Sequence, residues 1–122
     1  MERSILDRFG EMLALSVPQP HAEAIIRGVK IVELRAHTTP IRGHVYIYAS
    51  PTRFDDAKEL ALMRTYGITD VTCNDLPRGV IIGTVDLFNC TAGQWHLRNP
   101  ERAREPLKPD SEPNSEWFVP FR

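Results

Sequence analysis

The apolar positions of the chain switch between a helical and an alternating period, and the switches mark out its elements. Ile5, Leu6, Phe9, Met12 and Leu13 recur at helical spacing and predict a short amphipathic helix over 4–13, weakened by Gly10. A short strand, ALSV at 14–17, follows and is ended by Pro18 and Pro20. Ala22, Ile25 and Ile26 then line one face of a helix of about two turns, with Pro20 suited to its first turn and Gly28 to the position just past its end. Residues 30–35 and 43–50 read as strands joined by a turn. In the second of these, Val45, Ile47 and Ala49 alternate with Tyr46, Tyr48 and Ser50, which predicts an exposed tyrosine stripe. Thr52 and Asp55 form a capping signal for a helix that closes at Gly67. Beyond a loop over 68–78 comes a long strand, VIIGTVDLFNC, and a short strand is expected around Trp95 and Leu97.

After residue 98 the composition changes. Five prolines between Pro100 and Pro120 predict a long extended, proline-rich loop over 99–122, closing on an aromatic anchor of Trp117, Phe118 and Phe121 that has too much apolar area to stay in water. Five or six strands with three peripheral helices make an α+β fold, a partly closed mixed barrel whose strand order the pattern leaves open. At 122 residues, 42% hydrophobic and 25% charged, the chain is expected to form a single ordinary folded domain over 1–122.

No window approaches eighteen apolar residues, so no membrane contact is expected and the cytoplasm is the expected location. Cys73 and Cys90 form no CxxC pair and read as reduced structural thiols. The formal net charge is −1 and the basic residues form no run, so any nucleic-acid binding must be local to one pocket or groove.

The segment GVKIVELRAH at 28–37 departs from the pattern, because Lys30, Glu33 and Arg35 interrupt an apolar strand. Strand alternation turns Ile31, Glu33 and Arg35 one way and Val32 and Leu34 the other, so Glu33 and Arg35 can pair on one face. Two readings remain open from these residues: a structural ion pair at a barrel mouth, or a polar cleft with Lys30 and Arg35 as cationic donors and Glu33 as acceptor or base. His21-Ala22-Glu23 matches half of a zinc-deaminase signature, but P-C-x-x-C is absent, and His21 and Glu23 read as the exposed start of a helix with Glu23 at the positive end of its dipole. Asp86, with Thr84 on the same strand face, must find solvent, a cleft or a partner. Trp95 and Trp117 read as core anchors. Nucleotide-binding glycine motifs, G-x-S-x-G and H-E-x-x-H are absent, and neither cofactor nor metal is expected.

The string ALSVPQPHAEAIIRGVKIVELRAHTTPIRGHVYIYAS resembles the first half of an ASCH domain, a PUA-like family, through Leu15-Ser16, Gln19-Pro20, Gly28, Lys30, Val32-Glu33, Arg35, Arg42-Gly43 and Ala49-Ser50. GVIIGTVDLFNC resembles a later strand of that family, with Asp86 at its acidic position, and the resemblance spans about residues 14–98. It implies a PUA-like mixed β-barrel whose cleft lies between the Gln19-Pro20 helix start and the Lys30–Arg35 strand. It also implies binding of single-stranded or loop RNA, or of a nucleotide, by Ser16, Gln19, Pro20, Lys30, Glu33, Arg35 and Ser50. The alternative is a hydrolase acting on RNA or on a modified nucleoside such as an N4-acylated cytidine, with Lys30, Glu33 and Asp86 as catalytic residues. In the family's amidohydrolase branch a threonine nucleophile stands where this chain has Glu33, so a carboxylate activating water replaces covalent catalysis in that alternative. A third reading makes the C-terminal segment a partner-docking element.

Overall fold

The computed structural model describes residues 12–121, and the helix expected over 4–13 lies outside them apart from its last two positions. The elements run β1 (Ala14–Pro18), α1 (His21–Ile26), β2 (Val32–Leu34), β3 (Gly43–Ser50), α2 (Asp56–Thr65), β4 (Val80–Thr91), β5 (Gln94–Leu107) and β6 (Trp117–Phe118), with a 3-10 turn at Cys73–Asp75. The strands form one curled six-stranded sheet in the order β2-β5-β4-β3-β1-β6. β1 and β3 pair in parallel, Ser16 beside Tyr48 and Pro18 beside Ser50, and the other neighbours are antiparallel. This is an α+β fold of PUA-like barrel type.

The curl encloses the main core, built from Leu15 and Val17 of β1, Ala22, Ile25 and Ile26 of α1, Val45 and Ile47 of β3, and Val85, Trp95 and Leu97 of the β4–β5 hairpin. That hairpin turns through Ala92 (φ 49°) and Gly93 (φ 82°), and positive φ at both central residues gives the two-residue turn whose twist suits flanking strands. Asp55 caps α2, accepting the Lys58 N–H at 2.8 Å, so the capping signal resolves to Asp55 with Thr52 outside the helix.

Three expectations are corrected. The segment after residue 98 is not loop from its start: β5 continues to Leu107, pairing Arg98 with Asp86, Arg102 with Gly83 and Leu107 with Ile81. Pro100 and Pro106 fall within register shifts, where a missing N–H breaks no ladder bond. Tyr46 and Tyr48 do not form an exposed stripe. Tyr48 is fully buried beneath Phe118 with ring centroids 5.2 Å apart, and Tyr46 meets Phe121 at 5.4 Å, because the C-terminal aromatic anchor folds across that face. Trp117 takes the opposite side of β6 and stacks on Trp95 at 5.8 Å, so the anchor seals both faces of the sheet. Finally, Glu23 is not an exposed helix start but is buried, receiving Arg27 at 2.7 Å and Arg102 at 2.7 and 3.1 Å. Burial works against its ionisation, yet these two guanidinium groups hold its carboxyl below the usual carboxylate range.

Among the described residues, no helix is long and apolar enough to cross a membrane.

Candidate functional site

β2 is three residues long and inverted relative to an ordinary half-buried strand: Glu33 is buried while Ile31 and Leu34 stand in solvent, 62% and 67% exposed. Glu33 sits opposite Trp95 of β5. Its carboxylate is affordable there because Arg35, on the same strand face, donates from Nε to Glu33 Oε2 at 2.8 Å. The same guanidinium donates from Nη1 to Glu116 Oε1 at 2.8 Å and from Nη2 to the Ser16 carbonyl at 3.0 Å, and it lies 5.5 Å from the Trp95 ring centre. Glu116 in turn pairs with His37 Nε2 at 2.6 Å. Arg35 thus spends all three nitrogens within the protein. Lys30 is different: its Nζ is 3.5 Å from Glu33 Oε1, beyond good hydrogen-bond range, and that contact is a loose ion pair.

Lys30, Glu33 and Arg35 share with Ser16, His21 and Phe54 the wall of an open cavity of about 450 Å³. Parallel pairing explains the gathering. β1 and β3 run the same way, so the residues that follow them, His21 after β1 and Phe54 after β3, emerge at one end of the sheet beside β2. The His21 ring meets Phe54 and Tyr66 edge to face, each at 5.7 Å between centroids, and its Nδ1 lies 2.6 Å from the Tyr66 hydroxyl. Burial first, and then the nearby Lys30 charge, lower the His21 pKa, so the ring is neutral at pH 7. Lys58 Nζ lies over the Phe54 ring, 4.3 Å from its centre.

The residues singled out from the sequence therefore divide. Ser16, Lys30, Glu33 and Arg35 converge on the cavity. Gln19, Pro20 and Ser50 are buried and do not line it. Gln19 accepts the Glu23 N–H at 2.9 Å and donates to the Pro77 carbonyl at 3.0 Å, so its amide caps α1, which has no other side-chain cap, and ties that helix to the loop before β4. Asp86 is also absent from the cavity wall. Its carboxylate accepts from Asn99 at 3.0 Å and pairs closely with His44 on the neighbouring strand. Burial opposes its ionisation, but those two hydrogen bonds keep its pKa below the usual range. His21 and Glu23 face different partners, rings in one case and arginines in the other, and among the described residues no three His, Cys, Asp or Glu side chains cluster to hold a metal. Phe54 was not legible as a wall residue, since only the β1–β3 pairing brings it to the cavity, and Lys58 stands next to it over its ring without lining the cavity itself.

The ASCH domain model matches residues 15–119. The chain is similar to human activating signal cointegrator 1, with 36% identity over 100 residues that cover 78% of this chain and 17% of that protein. It is similar also to the mouse protein of the same name, with 40% identity over 96 residues, 75% of this chain and 16% of that one. The chain thus spans about a sixth of the length of these relatives. With a match over most of its length, a curled six-stranded sheet and the expected charged strand at its mouth, the chain belongs to the ASCH domain family.

Proposed function

We propose that this protein is an RNA-binding module that takes one nucleotide of a single-stranded or looped RNA into the cavity at the β2 mouth. The observation that carries the reading is the meeting of Lys30, Glu33 and Arg35 with aromatic rings around an open space of about 450 Å³, within the size range of ligand pockets. Lys30 supplies the uncommitted cation for a phosphate or a base carbonyl. Glu33 Oε1 keeps acceptor capacity for a base N–H, because its nearest donor is 3.5 Å away. Arg35 contributes by holding Glu33 in place. Membership of a family regarded as RNA-binding supports the same reading.

A hydrolase reading draws on one feature, a lysine beside a carboxylate in an accessible cavity, where the lysine could stabilise developing negative charge and Glu33 could activate water. Asp86 has no part in that version. The two readings separate in one experiment: fluorescence anisotropy of a labelled short single-stranded RNA with wild-type protein and Lys30→Ala, with RNA integrity checked after each titration. Salt-sensitive binding of intact RNA that weakens in Lys30→Ala is the expected result. Cleavage lost with Lys30 or with Glu33→Gln would move the function to hydrolysis, and no binding would sink the module.

A further inference from the structure

We propose that Phe54 and Lys58, at the junction of β3 and α2, form the stacking and phosphate-contacting half of the nucleotide site; this inference rests on the RNA-binding reading above. Phe54 is a large aromatic side chain that belongs to none of the three apolar clusters formed among the described residues, so those clusters do not account for its position. It stands instead in the wall of a cavity whose other members are mostly polar or charged, with His21 against it edge to face. The Lys58 ammonium lies over its ring, 4.3 Å from the centre. Lys58 is exposed and has no carboxylate partner among the described residues, so that cover is exchangeable.

The exchange has a favourable direction. A nucleobase stacked on an aromatic ring is held more strongly than an ammonium over the same ring at an exposed site. Lys58 is not part of the cavity wall, so a base that stacks on Phe54 at the cavity rim displaces it from the ring and leaves the ammonium free beside the nucleotide's own phosphate. Across the cavity, Lys30 and Glu33 meet the edge of the stacked base. The neutral His21 ring backs Phe54 without adding a charge that would have to be desolvated. The phosphate contact comes from Lys58 and not from Arg35, whose three nitrogens are already bonded to Glu33, Glu116 and Ser16.

The test is binding of a short single-stranded RNA carrying 2-aminopurine, whose fluorescence falls when it stacks, to wild type, Phe54→Leu, Phe54→Tyr and Lys58→Met, at several salt concentrations. Phe54→Leu is expected to weaken binding about ten-fold or more and to abolish the fluorescence change, and Phe54→Tyr is expected to restore both. Lys58→Met is expected to reduce the slope of log affinity against log salt by about one and to keep the fluorescence change. Thermal melting of each variant separates unfolding from loss of the site. If Phe54→Leu stays folded and binds and quenches as wild type does, while Lys30→Ala loses affinity, the inference is wrong and the RNA-binding reading stands. If wild-type protein binds no RNA, both fall.

Discussion

Arg35 and Glu116 meet at 2.8 Å between the two end strands of the sheet, β2 and β6. The ladder does not close there through backbone bonds, and a side chain takes over. One guanidinium ties β2 through Glu33, β1 through the Ser16 carbonyl and the approach to β6 through Glu116, while packing on Trp95. The charges that look out of place in the β2 sequence are thus in part a clasp on the barrel. The structural reading of this strand applies to Arg35, and the proposed RNA contact falls to Lys30.

Removing the clasp should destabilise the fold. Arg35→Ala leaves Glu33 buried without its strongest partner, and breaking a buried ion pair from one side costs about 3 kcal/mol. Urea denaturation should show a loss of that order, with part of it recovered in Arg35→Ala/Glu33→Gln, where no charge is stranded. A loss below about 1 kcal/mol would place the pair with ordinary surface ion pairs instead.

Lys30→Ala should do the reverse. Its one ion pair is long, so stability should change by less than about 1 kcal/mol, while RNA affinity falls and the salt slope drops by about one. Parallel denaturation and anisotropy measurements check both. A large stability loss would mean that Lys30 belongs to the clasp and not to the site.

The strands and helices of the fold were largely legible because their periods are local. What sequence reasoning missed depends on distant parts of the chain. Tyr48 reads as exposed until Phe118, seventy residues on, covers it. Glu23 reads as a solvated helix start until Arg102 of β5 reaches it. Proline counting turned the end of β5 into loop because it could not know that Pro100 and Pro106 occupy register shifts. The candidate site divides the same way. Lys30, Glu33 and Arg35 stand close in sequence and were visible as a cluster, whereas Phe54 joins them only through the parallel pairing of β1 with β3. Gln19 was visible as polar, but its complete burial in backbone hydrogen bonds was not.

Gly83 marks a close approach of two strands. A Cβ there would fall inside van der Waals contact with the Glu101 carbonyl oxygen and 2.8 Å from Ile26 Cδ1, and the oxygen is backbone that cannot swing aside. Gly83→Ala should therefore part β4 from β5 locally and lower stability by about 1–3 kcal/mol, the usual cost of overpacking. Its urea midpoint and the hydrogen exchange of the Arg102 amide report the two effects. An unchanged midpoint would contradict the tight β4–β5 packing.

Acid should loosen the Phe54 corner through Glu59. This side chain is only 4% exposed, and it accepts from Arg53 at 2.6 and 2.9 Å and from the Phe54 N–H at 3.2 Å. Arg53 is the main cause that holds its pKa at about 2 against an ordinary 4.5, with burial opposing and the Phe54 amide assisting. A folded-state pKa below the unfolded value means that the unfolded chain takes up the proton first. The stability Glu59 contributes is then complete above about pH 5 and is lost as pH falls through 4.5 towards 2. Urea midpoints across that range should decline for wild type and decline less steeply for Glu59→Gln, which starts lower at neutral pH. Because the Phe54 amide is one of the donors, protonation of Glu59 also releases the residue proposed to stack the base. At pH 4, about two units above that folded-state pKa, Glu59 stays ionised in the folded protein, so the 2-aminopurine signal of bound RNA should persist there in wild type and fall only as pH approaches 2. Parallel slopes for wild type and Glu59→Gln would show that Glu59 is not the group being titrated.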